Sequence, residues 1–107
     1  MTKLKVNPGV CGLTAIITAD SEDGMECDIS VETQCKMVQK LFETAGSTVN
    51  AYEICMPRGD EEKFAVELLR KCNTHAACPM IPALIKAVEA ECGLALKKDV
   101  SFSFIEE

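Results

Sequence analysis

Cys72, His75 and Cys78 recur at every third position in the run Cys72-Asn73-Thr74-His75-Ala76-Ala77-Cys78-Pro79, and His75 is the one histidine of the sequence. Thiolate and imidazole are soft or borderline donors. Two intervening residues let neighbouring side chains turn back onto a single ion. The C-x2-H-x2-C-P spacing therefore points to a metal or thiol site. A second C-x2-C pair, which would complete a zinc signature, is absent.

The remaining cysteines divide by context. Cys27 falls on the apolar face of an alternating run and Cys92 on an apolar helical stripe four residues after Val88. Both read as small buried hydrophobes, the common fate of free cysteine. Cys55 sits in an ill-defined segment and reads the same way. Cys78 differs, because it precedes Pro79 at the mouth of an expected helix, where unpaired amides and the helix dipole favour a thiolate. Cys35 opens an earlier helix in the same manner. Cys11 is bracketed by Pro8, Gly9 and Gly12, so a loop shapes its backbone. If the two helix mouths share one end of a sheet, Cys11, Cys35 and Cys78 meet there. Cys72 either completes that set or ends an apolar stripe begun at Leu68, and His75 competes with it as a fourth donor.

The elements that must position these residues follow from periodicity. Leu13–Ala19 and Met25–Val31 alternate around the turn Asp20-Ser-Glu-Asp-Gly24, which predicts a β-hairpin. Thr33 is the expected cap of a helix over Gln34–Ala45 that stops at Gly46. Residues 47–56 fit either a short strand or a helical turn. Asp60 is the expected cap of a second helix, Glu61–Lys71. Pro79 and Pro82 suit the first turn of a third helix carrying Ile81, Leu84, Ile85, Val88 and Cys92 and stopping at Gly93. Val100, Phe102 and Phe104 alternate with Ser101, Ser103 and Ile105, so a closing strand is expected. The order β-β-α-α-α-β predicts one α+β domain over residues 1–107, a small, mainly antiparallel sheet with helices on one face.

Composition narrows the function. At 107 residues and 48% hydrophobic, the chain can build its own core without staples. A net charge of −6 with scattered lysines argues against a nucleic-acid partner. No apolar run of about 18 residues points to a membrane span, and the first residues lack the apolar core of a signal peptide. A cytoplasmic protein is expected. There thiols stay reduced, and seven cysteines, an odd number, read as ligands, redox groups or packing residues. A protein partner or a homo-oligomer is compatible with this reading.

The segments Asn7-Pro-Gly-Val-Cys-Gly12, Cys35 at a helix start, His75-x-x-Cys78-Pro79, Ile85-Lys-Ala-Val-Glu89 and Gly93-Leu-Ala-Leu-x-Lys98-Asp99-Val100 together resemble a small uncharacterised prokaryotic family of Cys-containing domains. The resemblance covers most of the chain and brings no established activity. A shorter likeness runs to the TSCPD domain through Cys35 and Cys78-Pro79, although Met80 stands where that domain has Asp. That likeness implies a metal site.

Three functions follow. The first is a Zn or Fe–S domain with Cys11, Cys35 and Cys78 as ligands and Cys72 or His75 as the fourth. The second is a thiol-redox or thiol-transfer enzyme with Cys78 as nucleophile and Cys11 or Cys35 as the resolving thiol. The lack of a C-x-x-C pair weighs against a thioredoxin-like version. The third is a structural or interaction domain whose cysteines pack. No phosphate-binding glycine loop and no nucleophile elbow is present.

Overall fold

The computed structural model describes residues 1–57, 59 and 63–106. In chain order the elements are β1 (Thr2–Val6), β2 (Ala15–Asp20), β3 (Glu26–Thr33), α1 (Lys36–Ala45), β4 (Thr48–Asn50), α2 (Ala51–Cys55), α3 (Phe64–Lys71) and α4 (Met80–Glu91). The strands form one open sheet in the order β1-β2-β3-β4, every neighbour antiparallel. The fold is α+β.

Alternation in the strands dictates a one-sided sheet. Ala15, Ile17 and Ala19 on β2 and Cys27 and Ile29 on β3 are buried, while Glu26, Asp28 and Ser30 between them are exposed. Helices cover the apolar face only: α4 packs on β1 and β2, and α1 packs on β3. Ile17, Val38, Leu41, Met80, Leu84 and Val88 form the fully buried centre. Each such aliphatic side chain contributes about 1.5–3 kcal/mol through burial.

The hairpin and the three longer helices appear where periodicity puts them, with differences at the ends. Helix α1 starts at Lys36, because Thr33 remains in β3. Its hydroxyl accepts the Cys35 amide at 3.2 Å rather than capping a helix. Residues 48–55 take both expected conformations in succession. Asn50 ends the strand and caps α2, its side-chain oxygen accepting the amides of Tyr52 (3.0 Å) and Glu53 (3.1 Å). Gly46 ends α1 at φ 92° and ψ 168°, a conformation that a side chain would strain. The expected cap Asp60 and the start of its helix at Glu61 and Glu62 lie outside the described residues.

The expected closing strand is a correction. Val100–Ile105 form no strand, and residues 96–106 are exposed. A strand needs a neighbour to satisfy its backbone, and this segment has none among the described residues. The sheet instead gains a strand at the start. Thr2 and Val6 turn inward, while Lys3 and Lys5 turn out.

Candidate functional site at one end of the sheet

Helix α4 fixes the orientation of the whole molecule. At its last residue, Glu91 accepts hydrogen bonds from the Thr2 hydroxyl (2.7 Å) and the Ser21 amide (2.9 Å), and lies 3.4 Å from the Met1 amino group. These contacts, with the Ser21 bond in the turn between β2 and β3, hold the exit of α4 at the hairpin end. A Cβ added to the turn glycine Gly24 would stand 3.8 Å from the Cys92 carbonyl oxygen. Twelve helical residues at 1.5 Å each span about 18 Å. Six strand residues at about 3.3 Å span about 20 Å. The start of α4 therefore lies toward the opposite end of β2, where Ala15 pairs with Thr33.

That opposite end gathers the chain segments singled out by spacing. Cys35 follows β3 directly and is the N-terminal boundary residue of α1. Cys78 precedes Pro79, the corresponding residue of α4. Cys11 lies in the loop joining β1 to β2. Thr33 links the β1–β2 loop to α1. Its hydroxyl donates to the Thr14 carbonyl at 3.0 Å, and its own carbonyl accepts the Gln39 side-chain amide at 2.7 Å.

Neither α1 nor α4 has a side-chain cap, in contrast to α2 with Asn50. In α4 the prolines at 79 and 82 remove amides that would otherwise need partners. The loop between α3 and α4 is closed by the Cys78 amide donating to the His75 carbonyl at 3.0 Å. It also holds Thr74 Oγ1, the buried side-chain oxygen without a hydrogen-bond partner among the described residues. Such an orphan marks a place where a bound water or ligand would be at home.

The five candidate residues do not form one group. Cys11 and His75 are exposed, Cys35 and Cys78 are half-buried against the core, and Cys72 is 7% exposed within the core. Packing accounts for Cys72. Among the described residues no three His, Cys, Asp or Glu side chains are gathered so as to hold a metal ion. Described helices include none long and apolar enough to cross a membrane.

Spacing did not reveal a second thiol cluster, at the hairpin end. Cys27, fully buried on β3, lies near Cys92 at the exit of α4. Burial first, and the Cys92 thiol second, push the Cys27 thiol up to about 12. Cys55, whose Sγ lies 3.8 Å from the Ile85 carbonyl oxygen, is also pushed up to about 12, by burial and then by Glu89 and Cys92. The sequence carries the apolar stripes that bury these sulfurs but no sign that they meet.

Over residues 2–104 the chain matches a family of unknown function, DUF6951. It belongs to that family. The match leaves the TSCPD likeness without support, and it names no activity. No curated protein and no solved structure matches the chain.

Proposed function

We infer that this DUF6951 domain is a cytoplasmic thiol protein whose site is the end of the sheet opposite the hairpin, with Cys78 as the reacting thiol and Cys35 or Cys11 as its partner. One observation carries the reading: the connectivity brings the starts of α1 and α4 and the β1–β2 loop to the same end. A dithiol needs two sulfurs, whereas a metal centre needs at least three protein donors.

The chemistry is thiol–disulfide exchange. The Cys78 sulfur attacks a disulfide RS–SR′, forming Cys78–S–SR and releasing R′SH. The partner thiol then attacks the Cys78 sulfur, forming an internal disulfide and releasing RSH. The substrate disulfide is thereby reduced by two electrons and the protein is oxidised by two. A dithiol reductant returns it to the starting state. The positive end of the α4 dipole favours charge developing on the Cys78 sulfur during exchange.

Alkylation followed by peptide mass mapping at slightly acidic pH tests this. Cys78 is expected to react ahead of Cys11 although Cys11 is the more exposed. Uniform slow reaction of all the cysteines contradicts the reading.

The shared location of Cys11, Cys35, His75 and Cys78 favours a second reading, a Zn or Fe–S site that assembles when the two loops close over the helix starts. Elemental analysis of anaerobically purified protein separates the two. Near-stoichiometric metal that is lost in the Cys35→Ser/Cys78→Ser variant selects the metal site.

A further inference from the structure

Cys27 and Cys92 take no part in the thiol site at the opposite end. They lie at the hairpin end, 65 positions apart in the sequence, and the β2–β3 turn brings them side by side. Ser21 is the bridge. Its amide donates to the Glu91 carboxylate at 2.9 Å, and its hydroxyl donates to the Glu26 carbonyl at 2.7 Å. Glu91 precedes Cys92 and Glu26 precedes Cys27, so one serine joins the residues next to both cysteines. The turn and the exit of α4 also meet at Gly24, where a Cβ would stand 3.8 Å from the Cys92 carbonyl oxygen.

Alternation in β3 turns the Cys27 side chain inward, where it is fully buried. Cys92 is half-buried and packs against the same core. After burial itself, the neighbouring Cys92 thiol is what keeps the Cys27 proton in place. Cys55 is anchored farther back. Its Sγ lies 3.8 Å from the Ile85 carbonyl oxygen, about two helical turns before Cys92.

We propose that Cys27 and Cys92 are a disulfide site, whose oxidation ties the exit of α4 covalently to β3. A soft cation held between the two sulfurs would need both as thiolates, and charge is costly among core side chains. A disulfide is neutral. The oxidant is a low-molecular-weight disulfide, RS–SR. Cys92, the more open sulfur, attacks first, forming Cys92–S–SR and releasing RSH. Cys27 then gives up its proton and attacks the Cys92 sulfur, forming Cys27–S–S–Cys92 and releasing the second RSH. The protein is oxidised by two electrons and RS–SR is reduced by two. The bond repeats the fastening that Glu91 makes by hydrogen bonds and, unlike that carboxylate, does not titrate.

The test incubates the folded, reduced full chain with excess glutathione disulfide, quenches it in acid and cleaves it after glutamate. Cleavage isolates Cys27 in peptide 27–32 and Cys92 in peptide 92–106. Mass spectrometry is expected to find these two peptides joined. Oxidation should also raise the melting midpoint at least about 5 °C more in the wild-type chain than in Cys92→Ala, because the bond closes a long loop. Cys27 left free after complete reaction, or joined to any other cysteine, overturns the proposal. So does a Cys92 that stops at the mixed disulfide, or an equal rise in both proteins.

Discussion

The two ends of the sheet are built differently. At the hairpin end, Glu91 ties the last turn of α4 to β1 and to the β2–β3 turn, and Asp23 closes that turn by accepting the Met25 (2.9 Å) and Glu26 (3.0 Å) amides. These bonds hold the Asp23 carboxyl below its usual range. The thiols there, Cys27 and Cys55, are sealed and held protonated. At the other end α1 and α4 start without side-chain caps, the Thr74 hydroxyl lacks a partner among the described residues, and Cys11, Cys35 and Cys78 are partly or fully open. Fastening α4 at its exit lets its start be shaped by something other than stability. Cysteine content alone hides this contrast, since both ends are rich in sulfur.

The largest effect that would sharpen the comparison is in thiol reactivity. At a pKa of about 12, Cys27 and Cys55 carry about a thousandfold less thiolate near pH 8 than an ordinary cysteine. Both should stay unmodified by iodoacetamide in the folded protein while Cys11 is consumed, as mass mapping would read. Labelling of Cys27 at the rate of Cys11 would break the contrast.

Next in size is Glu91→Ala. It leaves the Thr2 hydroxyl, on a residue only 3% exposed, without its acceptor. Loss of hydrogen bonds to a charged group is expected to lower stability by about 1.5–3 kcal/mol in urea unfolding. Cys78→Ser, at the opposite end, should cost less than Glu91→Ala in the same assay.

The same carboxylate sets an acid limit. Hydrogen bonds from Thr2 first, then from the Ser21 amide, lower the Glu91 pKa in the folded state. The stabilisation is therefore fully present above the unfolded value and is lost as pH falls through the lower, folded value. In Glu91→Gln that part of the acid dependence should disappear. An unchanged pH profile would show that Glu91 does not hold the hairpin end together. Smallest of all, Cys11→Ala is expected to change stability by no more than about 0.5 kcal/mol, because the side chain is exposed.

Much of the scaffold was legible where one residue face repeats. The β2–β3 hairpin and α4 follow from alternation and from the spacing of Ile81, Leu84 and Val88. The first strand had the same signal in Thr2, Leu4 and Val6, but its two lysines read as scattered charge. The last strand had the signal without a partner, and periodicity says nothing about pairing. Residues 48–55 resisted a single assignment because Asn50 both ends a strand and starts a helix. Which end each cysteine occupies is a matter of connectivity. The proximity of Cys27 to Cys92, 65 positions apart in the sequence, leaves no local trace. Spacing at Cys72, His75 and Cys78 singled out one loop, yet Cys72 turns into the core, which three-residue spacing alone does not reveal.

The most direct test of a thiol site at the end opposite the hairpin is the order in which Cys78 and Cys11 react with a limiting alkylating agent at slightly acidic pH. Reaction of Cys78 ahead of the more exposed Cys11 is the predicted result. An order that simply follows exposure, with Cys11 first and Cys78 trailing, would contradict it.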